Sequence, residues 1–416
     1  MNNHKLVPSI RFCGFTDDWE PCKLDDFGKA TGGTSIESEF SEDGIFKVIS
    51  IGSYSEDSTY RDQGIRAIKS EKTMSRVLKK DDITMILNDK TASGNIIGRV
   101  LLIDESGVYV YNQRTERIEV DNEKYSSLFI YVLLNAPKIR EKIVKQSQGN
   151  TQIYVNWSTI SNTDYIVPKI EEQLKIEAFL SNLDNLITFH QQKHDKLLNI
   201  KKAMLEKMFP KEGKRVPEVR FKGLTDDWEK RKLDECATFL RGSGLSWSDI
   251  TEDGEYECIL YGNLYTDYGM ITTDIKYRTN TILTNAIFSS FGDVLIPGSD
   301  TTPTGLARAT SIEKTRVLLG GDINIVRPRD RILGSCLSLA INANRKELIK
   351  LIKGTTVRHI HNQDLKDVVV SLPNSSVEQE QIVQLFKKLD NTITLQQRKI
   401  EKLKNIKKAM LEKMFV

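Results

Sequence analysis

The stretch that decides the fold is Asn199-Ile-Lys-Lys-Ala-Met-Leu-Glu-Lys-Met-Phe209, which recurs letter for letter as residues 405–415 at the C-terminal end of the sequence. An identical run of this length is far beyond chance, so the chain contains an internal repeat. The two copies also match upstream, where Glu172-Gln173 corresponds to Glu378-Gln379. The sequence therefore consists of two related halves.

Each copy of the repeat predicts one long helix. Apolar residues fall on a seven-residue grid in both copies, and neither Pro nor Gly interrupts 171–209 or 374–416. The grid positions are Ile176, Leu183, Leu197 and Met204 in the first copy, and Ile382, Leu389, Leu403 and Met410 in the second. This spacing favours helices that pack along their length. A helix about 57 Å long, at ~1.5 Å per residue, exceeds one small domain, so its natural partner is its own copy.

A second repeated segment opens each half. Thr16-Asp-Asp-Trp19 is identical to Thr225-Asp-Asp-Trp228. The long stretches that follow barely resemble each other, although Gly149 and Gly354 hold matching positions before each helix. Their short runs of Val, Ile and Tyr, broken by Gly, Asp and Asn, predict strands and turns. Helices are predicted near 126–146 and 333–353, so each variable part is expected to be a mixed α+β domain.

The predicted fold class is α+β, with two mixed domains separated by two long antiparallel coiled-coil helices in a pseudo-two-fold repeat. The central grid position of each helix is polar, His190 in one copy and Gln396 in the other. In an antiparallel pair the two centres meet, so these side chains are expected to face each other and fix the helix register. The expected divisions are 1–168 (first domain with its leading segment), 169–212 (first helical region), 213–373 (second domain with its leading segment) and 374–416 (second helical region).

Composition describes an ordinary globular protein. The 416 residues are 39% hydrophobic and 28% charged, with a net charge of +3, so any basic surface must be local. The five cysteines are odd in number and scattered without a C-x-x-C pair, which fits reduced thiols. No signal-peptide core and no apolar run long enough to span a bilayer is present in the sequence. A cytoplasmic location is therefore expected.

The sequence contains none of the common catalytic signatures. There is no G-x-x-x-x-G-K-[ST] loop, no glycine-rich cofactor fingerprint after a clear strand, no H-E-x-x-H and no G-x-S-x-G. His190 and His194 have helical metal-ligand spacing, but no carboxylate or cysteine accompanies them, so a polar layer between helices is favoured. His359-x-His361 is weaker still. The chain is predicted to bind no metal and to be no self-sufficient enzyme.

Two loops are rich in side chains that suit nucleic acid. Residues 88–95 and 297–304 each follow a strand-like apolar run and are dense in hydroxyl and amide groups, with basic residues nearby. Such groups hydrogen-bond to base edges and phosphates, whereas an ordinary solvated loop is the alternative. The predicted DNA-binding residues are Lys90, Thr91, Ser93, Asn95, Arg99 and Arg114 in the first half, and Ser299, Thr301, Thr302, Thr304, Arg308 and Arg327 in the second. Further arginines close to these, which suit phosphates or a plain charged surface, are Arg117, Arg329 and Arg331.

This arrangement resembles the specificity (S) subunits of type I restriction–modification enzymes, the HsdS family. The resemblance covers nearly the whole chain. It rests on the order and duplication of several elements, each weak alone. These are Pro168 to Gln173 and Pro373 to Gln379 before the long helices, the repeated Lys-Lys-Ala-Met-Leu-Glu-Lys-Met-Phe ends, the strand–loop pairs at 82–99 and 293–308, and the Asp-Asp-Trp segments.

The resemblance implies a non-catalytic subunit of a multi-subunit methyltransferase and endonuclease. It implies two target recognition domains, each reading one half of a bipartite site in double-stranded DNA, with the helices setting the spacer. It also implies two modification (methyltransferase) subunits, with restriction subunits joining through that complex. S-adenosylmethionine, ATP and Mg would then be bound by those partners and not by this chain. Base-reading residues vary within the family and do not transfer.

Two other functions are compatible with parts of the sequence. A stand-alone DNA-modifying or DNA-cleaving enzyme with cryptic catalytic carboxylates would act as a purified single chain. A coiled-coil scaffold without a DNA role would predict two similar domains. Here the helices are retained while the domains diverge, which suits two different half-sites on one frame.

Overall fold

The chain forms two compact units in the computed structural model, which describes residues 7–300, 302–329, 331–354 and 357–416. The first unit combines Met1–His190 with Lys399–Val416, and the second is the continuous segment Gln191–Arg398. Each long helix is thus shared, because one half belongs to each unit. No helix in the described part of the chain is both long and apolar enough to cross a membrane.

The first unit is a mixed α+β structure built on a four-stranded antiparallel sheet of order β2-β9-β5-β7. A three-stranded sheet, β4-β3-β8, and the pairs β1-β11 and β6-β10 complete it. Its strands are β1 Glu20–Lys23, β2 Gly28–Gly32, β3 Phe46–Ile49, β4 Arg66–Ala67, β5 Ile83–Ile86, β6 Asn88–Asp89, β7 Val100–Leu102, β8 Tyr109–Tyr111, β9 Thr115–Val120, β10 Ile153–Tyr154 and β11 Asp164–Val167. Its helices are α1 Glu71–Met74, α2 Ser127–Asn135, α3 Pro137–Val144, α4 Trp157–Ser161 and the first half of α5 Ile170–Lys207.

The second unit repeats this design. A five-stranded sheet has the order β13-β22-β18-β20-β16, beside a four-stranded sheet β14-β17-β15-β21 and the pairs β12-β24 and β19-β23. Its strands are β12 Glu229–Lys232, β13 Ala237–Arg241, β14 Ile250–Thr251, β15 Tyr256–Ile259, β16 Ile271–Thr272, β17 Tyr277–Thr279, β18 Asp293–Pro297, β19 Ser299–Asp300, β20 Thr310–Ile312, β21 Leu318–Leu319, β22 Ile323–Pro328, β23 Arg358–His359 and β24 Val369–Leu372. Its helices are α6 Leu233–Cys236, α7 Asn263–Thr266, α8 Pro303–Leu306, α9 Gly334–Ala343, α10 Arg345–Lys350, α11 Asn362–Leu365 and the first half of α12 Ser376–Lys413.

The helices predicted near 126–146 and 333–353 are each broken into two. In the first unit the break falls before Pro137, whose ring fixes the first position of α3 and cannot continue α2. The side chain of Asn135 then bonds both the N–H and the carbonyl of Val100, at 3.2 and 3.0 Å. Asn342 holds Ala309 in the same way in the second unit, at 3.2 and 2.7 Å. The same device therefore docks the equivalent helix onto the equivalent strand.

Both long helices contain 38 residues and match the predicted ranges closely. In the first unit, Arg11 binds Glu172 near the start of α5 through two 2.7 Å bonds, while the neighbouring Ile10 N–H donates to the carbonyl of Lys413 near the end of α12. Farther along α5 and earlier in α12, Lys407 donates to Asp184 at 2.6 Å. The two helix halves are therefore antiparallel, as predicted.

The second unit makes the same contacts with the helices exchanged. Arg220 binds Glu378 near the start of α12, and the Val219 N–H donates to the carbonyl of Lys207 at the end of α5. Lys201 then bonds to Asp390 farther along. The duplicated α+β fold with antiparallel helices is thus confirmed within each unit.

The identical segments fill equivalent places in the two cores. Phe415 lies against Phe129 of α2, with ring centroids 5.8 Å apart, in the first unit. Phe209 lies edge-on to Trp228, 5.6 Å apart, in the second. His190 belongs to the first unit and the buried Gln396 to the second, so their facing each other stays a prediction.

Candidate DNA interface

A polar groove with a volume of about 620 Å³ lies in the first unit where β5 ends. One wall is the loop that follows β5 and β6, and another is the turn that leads into β9. The remaining walls come from Glu37 and Phe40 between β2 and β3, from the segments after β3 and before β4, and from the residue before β10. Of the predicted DNA-binding residues, the groove brings together Lys90, Thr91 and Arg114.

The loop is shaped by a buried carboxylate. Asp89 is only 3% exposed and accepts the backbone N–H and the hydroxyl of Thr91, both at 2.8 Å, and the N–H of Ile96 at 3.1 Å. The Thr91 hydroxyl also lies 2.8 Å from that of Ser93. Thr91 therefore closes the loop, and Lys90 beside it is exposed.

Three cations stand in the groove. The side chains of Arg61, Lys90 and Arg114 are exposed and form no hydrogen bond or ion pair with the described residues. Arg114 sits at a turn with a left-handed backbone, φ 67°. Two carboxylates, Glu37 and Asp89, also line the groove, but neither forms an ion pair with these cations among the described residues, so the cations are available to DNA phosphates.

Uncharged groups that can read base edges line the same groove as the cations. The side-chain amides of Gln63, Asn88 and Gln152 line the groove and make no side-chain hydrogen bond with the described residues. Carboxamides pair with the donor and acceptor pattern of bases in the major groove. Sequence reasoning missed Arg61, Gln63 and Gln152, because they lie far from the loop in sequence and only the fold assembles them.

Two predicted residues are engaged inside the protein. Asn95 donates its amide to Glu56 at 2.9 Å. Arg99 donates to the Asn95 carbonyl at 3.0 Å and to the Ser58 hydroxyl at 2.7 Å, and burial lowers the pKa of its guanidinium. These contacts favour a structural role, in which both residues connect the loop to the segment that contains Glu56 and Ser58.

The second unit closes its equivalent loop in the same way. The Thr302 hydroxyl donates to Asp300 at 2.9 Å, as Thr91 does to Asp89. β19 pairs with β23, so that Ser299 lies opposite His359, and the buried Ser299 hydroxyl donates to Asp322 at 2.9 Å. Thr301 and the side chain of Thr304 lie outside the described residues.

The two predicted arginines of the second unit are also engaged. Arg327 makes two 2.8 Å bonds to the fully buried carboxylate of Asp293, which raises the pKa of the arginine. Arg117 makes a comparable pair with Asp82 in the first unit. Arg308 donates to the Tyr268 carbonyl at 2.8 Å, and burial lowers its pKa. The structure thus favours structural roles for Arg327, Arg308 and Arg117 over phosphate contacts.

Metal chemistry finds no support among the described residues, where no group of three or more His, Cys, Asp or Glu side chains could hold an ion. What the fold offers instead is one duplicated frame with a different polar surface on each copy. A rigid frame that presents variable polar loops is the arrangement expected of a recognition protein.

The family model described as "Type I restriction modification DNA specificity domain" matches residues 16–199 and again residues 225–405. The chain therefore belongs to this family of type I restriction–modification specificity subunits. It is a DNA-recognition component of a multi-subunit system and not a catalytic one, which confirms the sequence prediction over the stand-alone enzyme.

Curated relatives agree with this assignment. The chain is 22% identical to the type I restriction enzyme MjaVIII specificity subunit of Methanocaldococcus jannaschii, over 95% of this chain and 91% of the relative. It is 23% identical to the putative MjaX specificity subunit of the same organism, over 70% of this chain and 66% of the relative.

Solved structures show the same fold. The S subunit from M. genitalium aligns with a TM-score of 0.55 at 15% identity, over 99% of both chains. The HsdS subunit from Thermoanaerobacter tengcongensis gives 0.52 at 17% identity, over 100% of this chain and 98% of the other. A chain from a study of type I complex assembly and conformational transition gives 0.58 at 17%, over 95% and 97%.

Proposed function

We propose that the first unit reads one half of a bipartite target in duplex DNA through its polar groove, and that the second unit reads the other half through the face around Ser299 and Thr302. The recognition domains are assigned to 1–168 and 213–373, and the helical regions to 169–212 and 374–416. The observation that carries the proposal is the groove in which three cations, Arg61, Lys90 and Arg114, lie beside carboxamides, all of them without a side-chain partner among the described residues.

The charge distribution supports this division of labour. A net charge of +3 over 416 residues gives no general attraction to DNA, so affinity has to come from local cations. Phosphate contacts position the protein, and carboxamide contacts to base edges supply the sequence information. The groove contains both kinds of group within one surface.

The helical regions are assigned to assembly. Two modification subunits are proposed to dock on them, with restriction subunits joining through that complex, and the helices are proposed to set the spacer between half-sites. S-adenosylmethionine, ATP and Mg are assigned to those partners. The support is the family itself.

The test exchanges one recognition domain. Residues 20–165 are replaced by the corresponding region of a relative that has a different target, and the methylated motif is read by methylome sequencing of cells with unaltered partner subunits. One half of the motif should change, and the spacer and the other half should stay. The matched control exchanges 229–372 and should change only the opposite half. A change in both halves from either exchange would contradict the assignment.

A further inference from the structure

Exposed aromatic side chains form a cluster on the second unit beside the Ser299 loop. Trp247 is 57% exposed and Tyr261 is 38% exposed. Tyr265 lies next to Tyr261, with ring centroids 6.3 Å apart, and its hydroxyl donates to the carbonyl of Ser299 at 3.3 Å. A Cβ added to Gly262 would lie 3.9 Å from both Trp247 and Tyr265, so one glycine separates the two rings.

This aromatic cluster occupies the place that the groove wall has in the first unit. Trp247 opens a 3₁₀ helix after β13, as Glu37 opens one after β2. Tyr261 follows β15 by the same number of residues as Ile51 follows β3. Both Glu37 and Ile51 line the polar groove. The equivalent wall is therefore aromatic in the second unit.

The charge at the position equivalent to the groove residue Arg114 also differs between the two units. The backbone position of Arg114, whose carbonyl accepts the N–H of Leu87, is taken in the second unit by Asp322, whose carbonyl accepts the N–H of Gly298. Both residues have a left-handed backbone, with φ of 67° and 59°. The Asp322 carboxylate is bound by Arg241 and by Ser299. A cation that has no partner in the described part of the first unit is thus replaced by a neutralised ion pair near the exposed rings.

Exposed aromatic rings gain most from binding DNA when they bury their surface against an apolar group of the DNA. In the major groove of an intact duplex, the apolar group that base pairs display is the C5-methyl of thymine. We propose that Trp247 and Tyr261 are specificity-determining residues that contact thymine methyl groups in the half-site read by the second unit. This inference rests on the proposed function, because it assumes that this face meets DNA.

The first test removes only the methyl group. Once the target is known, the complex with its modification subunits is bound to duplexes in which deoxyuridine replaces each thymine in turn. At least one replacement in the second half-site should weaken binding about fourfold, which corresponds to ~0.8 kcal/mol for one buried methyl. A second half-site without a T·A pair, or without any sensitive thymine, overturns the proposal. Failure to bind any bipartite target would instead contradict the proposed function.

The second test links the methyl to the rings. Trp247→Ala and Tyr261→Ala should each bind thymine and deoxyuridine duplexes more nearly equally, because the partner surface of the methyl is gone. Phe291→Ala is the matched control: Phe291 is 65% exposed in the same unit but lies before β18, at the opposite end of that strand from Ser299. It should keep the full methyl effect. If Trp247→Ala retains the effect but weakens assembly with the modification subunits, the cluster is a protein-docking surface and the proposal is wrong.

Discussion

The two units share a frame and differ in the surface that the frame presents. Both hold a buried glutamate at the start of a long helix with an arginine from the leading segment, Arg11 with Glu172 and Arg220 with Glu378. Both close the loop after the central strand on an aspartate. Yet the surface beside that loop carries, in the first unit, cations and amides that have no partner among the described residues, and in the second unit aromatic rings with a neutralised ion pair.

This difference separates two kinds of constraint on the sequence. Contacts between a domain and the helices are repeated, because both copies must fit nearly identical helix segments. Exposed side chains of the groove wall, such as Arg61, Lys90 and Arg114, are free to diverge, since they make no hydrogen bond or ion pair with the described residues of the frame. The frame and the reading surface should therefore respond differently to mutation.

The largest expected effect comes from shifting the frame itself. Two residues inserted after Asn199 rotate the rest of α5 by about 200° and turn Met204 and Met208 away from the second core. Assembly and all methylation should be lost. Four inserted residues add about 6 Å with only ~40° of rotation, so the spacer should lengthen by one or two base pairs at ~3.4 Å each. Methylome sequencing reads both outcomes, and an active four-residue variant with an unchanged spacer would mean that the helices do not set it.

The next largest effect is the loss of stability when each of the two buried ion pairs is broken. Arg11→Ala leaves the buried Glu172 carboxylate without a partner and should lower the free energy of unfolding of its unit by about 3–5 kcal/mol. Arg220→Ala should cost less, since Glu378 also accepts the indole N–H of Trp228 at 3.2 Å, whereas the indole N–H of Trp19 has no partner among the described residues. Urea denaturation measures both. Equal losses would show that the Trp228 bond adds nothing.

An exposed pair of the same frame provides the control. Lys407→Ala removes the bond to Asp184, a carboxylate whose side chain is half exposed. Surface pairs contribute roughly 0–1 kcal/mol. A loss as large as that of Arg11→Ala would mean that position along the helix, and not burial, decides the cost.

A smaller effect should be confined to the reading surface of the first unit. Arg61→Ala with Arg114→Ala should weaken DNA binding by roughly tenfold to a hundredfold at low salt. It should also reduce the slope of log affinity against log salt by about two, near 0.9 per phosphate contact. Affinity titrations of the complex at several salt concentrations test this, and protein stability should not change.

Lys80→Ala is the matched control for these charges. Lys80 is exposed and lies before β5, at the opposite end of that strand from the groove. Its removal should leave the salt slope unchanged. If Lys80→Ala lowers the slope as much as the groove variant does, the DNA does not lie in the groove.

The smallest expected effect is a difference between the two units in how their stability depends on pH, which arises at one equivalent position of the two sheets. Glu116 lies opposite Met85 in the first sheet, and Asn324 lies opposite Ile296 in the second. Burial, helped by the charge of Asp25, raises the pKa of Glu116 to about 7, so the folded state holds a proton that the unfolded state releases above its ordinary pKa. The first unit should therefore lose stability as pH rises from about 4.5 to 7 and level off above that range.

Glu116→Gln should remove this pH dependence and raise stability at pH 8 by on the order of 1 kcal/mol. Urea midpoints at pH 5 and pH 8 measure it. The second unit has the uncharged Asn324 at this place, with its amide bonded to the carbonyl of Ile360 at 2.8 Å. A gain for Glu116→Gln that is as large at pH 5 as at pH 8 would point to packing and not to ionisation.

The sequence predicted the frame well because its signals are local and duplicated. The helix ranges, the antiparallel pairing and the loop positions after each apolar strand all follow from spacing and repeats. The groove could not be predicted, because Arg61, Gln63 and Gln152 come from segments that meet only after the sheets pair. Arg99 and Arg327 looked like available charges, since a sequence does not show the partners that engage a side chain in the folded chain.

The end of α5 belongs to the second unit and the end of α12 to the first, and this arrangement has a consequence for synthesis on the ribosome. The second unit is continuous in sequence and can fold once residue 398 has emerged. The first unit lacks its final helix segment until residues 399–416 have been synthesised, as shown by the bond from Lys138 to Phe415 across 277 positions. Until then Ile176, Leu180 and Leu183 lack the part of their core cluster that Met414 and Phe415 supply. The only part of the nascent chain with the same side chains as residues 405–415 is the identical segment 199–209, so the segment that completes the second unit is also the one best able to shield the first prematurely.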